Sequence, residues 1–175
     1  MRLAIAAFAV AMSVAPAMAA DVDNLRSVDI GVQGTIVQRC QMGSIGNMDF
    51  GNLERVGLGA TARVALHCNI PFNMAIKAQN GALANDRMPM GQGPYSGSLP
   101  YTIGLSMPVR RPQTSVIEKT FESRELKGSG RTISSGGGIA VDGMALSVSL
   151  GRPSGEAGLL AGDYGETIEI TITPS

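Results

Sequence analysis

The side chains that could carry chemistry are two cysteines, one histidine and a scattered set of carboxylates. Cys40 and Cys68 make an even cysteine count, which in an exported chain favours a single disulfide. A disulfide that closes the loop between Cys40 and Cys68 would stabilise the fold by roughly 3–4 kcal/mol. Two free buried thiols are the alternative. A zinc site is less favoured, because His67 is the only histidine and no second pair of ligands accompanies it.

No sequence motif assembles these groups into a catalytic site. Because Leu66 and Cys68 are expected to point to the core, His67 between them is expected to point to water. A nucleophilic serine would therefore have no histidine to act as its general base. Gly-x-Ser-x-Gly, Walker and Gly-x-Gly-x-x-Gly motifs are absent. We expect neither an enzyme nor a bound cofactor.

The charges are balanced and dispersed. Fourteen lysines and arginines match 14 aspartates and glutamates, so no basic field would attract nucleic acid. The acids of the C-terminal part lie in turns or on a wet strand face, which does not support paired-carboxylate glycosidase chemistry; they are Asp142, Asp163, Glu166 and Glu169. We expect no nucleic-acid partner.

The N-terminus is typical of a secretory signal peptide. Met1-Arg2 is a short basic start, residues 3–14 are apolar apart from Ser13, and Ala17-Met18-Ala19 has the small-x-small form that signal peptidase cuts. The apolar segment is too short to span a bilayer. We assign residues 1–19 to the signal, with cleavage after Ala19 or Ala20. A buried N-terminal helix is the alternative.

Most of the remaining chain alternates between apolar and polar residues, which predicts β-strands. The segment from Val109 to Gly138 is the least regular, with one strand expected near Val116 and Phe121 and an open loop from Gly128 to Gly138. Six or seven strands separated by turns predict an all-β sandwich. The alternating runs are Val28–Ile36, Thr61–Cys68, Phe72–Ala78, Leu99–Met107 (ended by Pro108), Met144–Leu150 and Ile168–Ile172, with a short strand or turn at Met48–Leu53.

The last run is the clearest strand signal. Ile168, Ile170 and Ile172 alternate with Glu169 and Thr171, so one face is apolar and the other is wet. A β-sandwich normally covers such an element with a further strand, and the sequence as given continues only to Ser175. We therefore expect another polypeptide to cover it.

Several stretches resemble the spore coat protein U domain family, whose domains are similar to pilus subunits of archaic chaperone–usher systems. They are Cys40, Met48-Asp49-Phe50-Gly51, the strand ending in Cys68, and Leu160-Ala161-Gly162-Asp163-Tyr164-Gly165-Glu166-Thr167-Ile168. The resemblance covers roughly residues 28–173. The segment 108–138 departs from it, because it lacks the aromatic-glycine stretch of other members.

The resemblance implies an incomplete immunoglobulin-like sandwich that lacks its final strand, here residues 35–175. A periplasmic chaperone would first lend the missing strand, and the N-terminal tail of a neighbouring subunit would replace it at an outer-membrane usher. In this chain the donor tail corresponds to residues 20–34, with Val28, Ile30 and Val32 as its groove-filling side chains. Ile168, Ile170 and Ile172 would line the acceptor groove, and the chaperone would hold the carboxylate of Ser175.

The implied function is that of a structural pilus subunit, exported to the periplasm and then to the cell surface, in a homo- or heteropolymer. Alternatively, Val28–Val32 belongs to the domain's own first strand. A free-standing secreted binding or adhesin module is the second function considered. With no tryptophan and three tyrosines, the chain offers few aromatic platforms for sugars.

Overall fold

The structure is a computed structural model that describes residues 27–175. The predicted signal peptide, 1–19, and the first part of the predicted tail lie outside the described residues. The chain divides into two compact units between Thr35 and Ile36. Among the residues described, no helix combines the length and the apolar character needed to cross a membrane.

Within residues 27–175 the secondary structure is 13 β-strands and one 3-10 turn, Ser123–Leu126. The strands are β1 Cys40–Met42, β2 Gly59–Val64, β3 Leu66–Cys68, β4 Phe72–Ala78, β5 Leu83–Asn85, β6 Ser98–Leu99, β7 Tyr101–Arg111, β8 Gln113–Glu122, β9 Arg131–Ser134, β10 Ile139–Ala140, β11 Met144–Leu150, β12 Tyr164–Gly165 and β13 Ile168–Pro174.

The strands pair antiparallel into several sheets. In the largest sheet, β11 lies between β2 and β7. The other edge of β7 pairs with β8. β7 also pairs with β10, beyond the residues that it pairs with β11. A second sheet places β4 between β13 and β9. β1 pairs with β3, and β5 lies between β12 and β6.

A single hydrophobic core lies between the sheets, because alternate residues of their strands point inward. The predicted all-β sandwich is confirmed. The inward residues of three central strands are buried: Tyr101, Ile103, Leu105, Met107 and Val109 of β7, Met144, Leu146 and Val148 of β11, and Phe72, Met74, Ile76 and Ala78 of β4.

The predicted disulfide is also confirmed. Cys40 and Cys68 face each other directly in the β1–β3 ladder and are bonded, with a Cα–Cα distance of 4.0 Å. Cys68 is buried and His67 beside it is exposed, as the alternation predicts. The bond therefore ties β1 to β3.

The chain before Cys40 is not a strand, so the alternating run from Val28 does not form the expected ladder among the described residues. Asn69 holds the end of this segment instead. Arg39 N donates to Asn69 Oδ1 at 2.6 Å, and Asn69 Nδ2 donates to Val37 O at 2.8 Å. Together with the backbone hydrogen bond from Asn69 N to Arg39 O at 2.9 Å, these bonds hold the chain just before Cys40.

Two expectations for the segment 108–138 are wrong, while the strand expected near Val116 is confirmed as part of β8. β7 continues through Pro108, which falls between Ser106, the last residue paired with β11, and Val109, the first paired with β10. Because the ladder on that side is interrupted there, the missing N–H of the proline is tolerated.

The glycine-rich stretch expected to be an open loop contains β9, which pairs with β4 and buries Ile133. The glycines flank this strand instead of interrupting it. Gly130 adopts φ +72°, and a Cβ there would collide with the carbonyl oxygen of Ile76. Glycine is therefore required for the close turn into β9.

Candidate functional site

β13 is the edge of its sheet. It pairs with β4 from Ile168 to Pro174, and Ser175 N extends the pairing by donating to Pro71 O at 3.0 Å. Among the described residues no strand pairs with the other side of β13. Ile168, Ile170 and Ile172 pack against the core but remain only half-buried. The strand predicted to lack a cover is thus partly uncovered.

A groove with a volume of about 1040 Å³ opens beside this strand. Tyr101, Leu146 and Val148 of the core form its floor. One wall consists of residues 159–168 together with Ile170, and the other consists of residues 45–54. We call this feature the β13 groove. Its volume reaches the upper end of the range of small-molecule pockets, about 300–1,000 Å³.

The wall opposite β13 is irregular. Ile45, Met48 and Phe50 pack against the core and are half-buried, but the segment forms no strand. The short strand or turn predicted at Met48–Leu53 is therefore a turn. Gly51 N donates to Asp49 Oδ1 at 2.8 Å, which closes a local side-chain turn.

Both walls leave backbone groups without ladder partners. In the described chain, the one backbone–backbone hydrogen bond within residues 44–57 runs from Arg55 N to Asn52 O at 3.4 Å. The outer edge of β13 is likewise unpaired. Backbone N–H and C=O groups bind other strands readily when an edge is open. The β13 groove therefore combines apolar side chains with free backbone groups on both sides.

Glu166 fixes the end of the groove where β13 begins. Its carboxylate accepts hydrogen bonds from the N–H groups of Asn80 at 3.0 Å, Gly81 at 2.7 Å and Ala82 at 3.1 Å. The Tyr101 hydroxyl donates to the same carboxylate at 3.4 Å. This cradle joins the turn after β4 to the residue pair that leads into β13.

The cradle also changes the ionisation of Tyr101. The side chain is 2% exposed, and burial raises the pKa of its hydroxyl well above the ordinary value. The negative charge of Glu166 and the hydrogen bond to it raise this pKa further. Tyr101 therefore remains neutral at the bottom of the β13 groove.

The two stretches that carry the family resemblance most specifically form the two walls of the groove. Met48-Asp49-Phe50-Gly51 belongs to one wall and Leu160 to Ile168 to the other. Sequence reasoning did not identify Tyr101, Glu166 or the segment 45–54 as parts of one site. The dipeptide Asn80-Gly81 is itself typical of a turn. Its contact with Glu166 is not visible in the sequence, because Gly81 and Glu166 are 85 residues apart along the chain.

The predicted donor residues lie in the other compact unit. Val28, Ile30 and Val32 are 83%, 79% and 88% exposed and belong to no strand. Ser175, the predicted chaperone contact, is exposed at the end of β13. The predicted groove residues Ile168 and Ile170 line the β13 groove, and Ile172 lies further along the same face.

Among the residues that the structure describes, no cluster of three or more histidine, cysteine, aspartate or glutamate side chains could hold a metal ion. Comparison with protein-family models, with curated proteins and with solved structures gives no match for this chain. The function of the β13 groove therefore has to be inferred from its own residues.

Proposed function

We propose that the chain is a structural subunit of a surface fibre, a pilus, that is assembled by exchange of β-strands between subunits. The observation that carries the proposal is the β13 groove, where half-buried isoleucines lie beside an unpaired strand edge. A strand laid along β13 would pair with its free backbone groups and cover Ile168 and Ile170. Chaperone–pilin complexes are known examples of such strand addition.

The predicted tail has the residues that such a groove requires. Val28, Ile30 and Val32 alternate with polar or small residues, so an extended conformation places all three on one face. Full burial of three such side chains contributes roughly 5–9 kcal/mol before the costs of ordering and association. The exposure of these side chains in the described chain supports the proposal that the tail is the strand donated to a neighbouring subunit.

Half-buried isoleucines beside an unpaired strand edge are an aggregation hazard before assembly. We therefore include a periplasmic chaperone that covers the groove and an outer-membrane usher that mediates exchange. Export by the signal peptide, residues 1–19, would bring the subunit to that compartment. Ser175 is exposed at the end of β13, the edge where the chaperone would dock.

The test is to place a charge on the apolar face of the tail. Ile30→Asp should leave the periplasmic level of the exported full chain unchanged, yet reduce its amount in fibres sheared from the cell surface by tenfold or more, on the order expected for placing a carboxylate in an apolar groove. The matched control, Gln33→Asp, puts the same charge on the polar face and should assemble normally.

Two results would contradict the proposal. Loss of the Ile30→Asp protein from the periplasm would show that the strand belongs to its own domain. Normal assembly of Ile30→Asp would show that the tail does not fill a groove. A stable monomer that never enters fibres would favour the free-standing binding module.

A further inference from the structure

The β13 groove has an acidic rim. Four carboxylates line it, and among the described lining residues there is no lysine, arginine or histidine. Three of the four are exposed, so their charges face solvent at the mouth of the groove. The four residues are Asp49 and Glu54 on one wall, and Asp163 and Glu166 on the other.

The chain's own tail carries the same sign of charge between its groove-filling residues. Asp29 is the only charged side chain between Ser27 and Gln38, and it stands between Val28 and Ile30. In a strand, side chains between the buried apolar residues point outward. A copy of this tail in the groove would therefore hold the Asp29 carboxylate at the level of the acidic rim, where like charges repel.

We infer that the β13 groove takes its strand from a different polypeptide, in which a lysine or arginine stands between the apolar residues. This inference rests on the proposed function, because it specifies the donor for the same groove. Charge complementarity of this kind selects partners and raises association rates. The acidic rim thus favours a mixed fibre, in which this subunit's tail enters a different groove.

Three labelled peptides of residues 27–38 test the inference: the natural sequence, Asp29→Asn and Asp29→Lys. Their binding to the purified full chain is measured by fluorescence anisotropy at about 0.01 M and about 1 M salt, where the screening length is about 30 Å and about 3 Å. At low salt the Asp29→Lys peptide should bind about tenfold more tightly than the natural one, with Asp29→Asn between them. At high salt the affinities of the three peptides should become equal.

The rim is tested on the acceptor side with the double variant Glu54→Gln, Asp163→Asn. Asp49 and Glu166 are left intact, because they hold the turn at Gly51 and the cradle at Asn80 to Ala82. The double variant should reduce the difference in affinity between the three peptides at low salt. The control is Glu118→Gln with Glu156→Gln, which removes two exposed acids outside the groove lining. In this control the difference in affinity should remain.

The possible failures are distinct. If the three peptides bind equally at low salt, or if the rim variant behaves like its control, the charge preference is wrong while the groove remains a strand acceptor. If none of the peptides binds, the groove does not accept strands, and the proposed function fails with it.

Discussion

β8 and β13 are both long strands with one unpaired edge in the described chain, but they offer different surfaces to another strand. β13 has an isoleucine at each core-facing position from 168 to 172, and a groove opens beside it. β8 is exposed over nearly all of its length. An edge that we propose to accept a strand can therefore be compared with a second open edge in the same molecule.

Lys119 is the residue that distinguishes β8. Directly paired residues share a face of the sheet, and Lys119 lies opposite the buried Leu105. It therefore stands on the core-facing side, between the half-buried Ile117 and Phe121. A strand added to this edge would cover the ammonium group.

Inward-pointing charges are a known means of protecting sheet edges. Burying an unpaired ammonium costs several kcal/mol, which offsets the gain from backbone pairing. In the described chain the ion pairs are Arg124–Glu122 and Arg131–Glu125, so neither of them neutralises Lys119. We therefore expect a single core-facing position to decide whether an open edge accepts another strand.

The largest effect is expected when a lysine is placed at a core-facing position of β13, as Lys119 is in β8. Ile170→Lys should weaken binding of the Asp29→Lys peptide at least about a hundredfold, because the bound strand would bury the new ammonium group. Without the strand the lysine can reach water, so the loss of unfolding free energy should be only about 1–2 kcal/mol. Anisotropy and chemical denaturation measure the two effects.

Glu169→Lys is the matched control, because Glu169 lies on the exposed face of the same strand. It should change affinity by less than about threefold. Equal losses for Ile170→Lys and Glu169→Lys would mean that net charge, and not the core-facing position, governs binding.

The converse change should make β8 associate. Lys119→Ile places an apolar side chain between Ile117 and Phe121 and removes the burial penalty, so concentration-dependent association is expected at about 0.1 mM chain by sedimentation velocity. Thr120→Ile adds an isoleucine on the opposite, exposed face of β8 and should associate less. If both variants remain as monomeric as the parent chain, Lys119 does not protect this edge.

A smaller effect is expected at the cradle that positions β13. Glu166→Gln replaces one carboxylate oxygen with an NH2 group, which cannot accept hydrogen bonds from the N–H groups of Asn80 to Ala82. Charge-assisted hydrogen bonds contribute about 1.5–3 kcal/mol each, and partial rearrangement should leave a net loss of about 1–3 kcal/mol in the free energy of unfolding. Denaturation by urea measures this loss.

Glu169→Gln provides the reference for the cradle, since it removes the same charge from an exposed strand position. It should alter stability by less than about 0.5 kcal/mol. Equal stabilities for Glu166→Gln and Glu169→Gln would show that the cradle does not support the entry into β13.

The sequence predicts those parts of this comparison that depend on local pattern. Alternation alone identifies β13 and the inward side of Cys68, and the cysteine count leads to the disulfide. The strand containing Val116 was also predictable, but the side of Lys119 follows only from its pairing with Leu105. Both faces of β8 carry polar residues, so alternation there does not show which face meets the core.

The groove itself depends on contacts between distant segments. In residues 45–54 the sequence pattern predicts only a short strand or turn at Met48–Leu53. The role of this segment as a wall arises from packing of Ile45, Met48 and Phe50 against the core. β9 was missed because flanking glycines suggested a loop, whereas its strand is fixed by pairing with β4. Tertiary pairing of this kind overrides local propensity.

The smallest effect follows from the raised pKa of Tyr101, at the bottom of the β13 groove. An unfolded tyrosine ionises near its ordinary pKa of 10.0, whereas burial and the charge of Glu166 keep the folded side chain protonated. Above pH 10 the unfolded state thus binds fewer protons than the folded state, and stability falls as pH rises. The loss of unfolding free energy attributable to Tyr101 should be about 1 kcal/mol per pH unit.

Tyr101→Phe removes this contribution, so the unfolding free energy of the variant should decline less steeply between about pH 10 and pH 11.5. The two proteins share every other ionisable group, so the difference between their slopes reports Tyr101 alone. Tyr95→Phe, at an exposed position, should keep the steeper slope of the parent chain. Parallel slopes for Tyr101→Phe and the parent would mean that the Tyr101 hydroxyl ionises in the folded chain as freely as in water, and that the floor of the groove is wetter than its burial indicates.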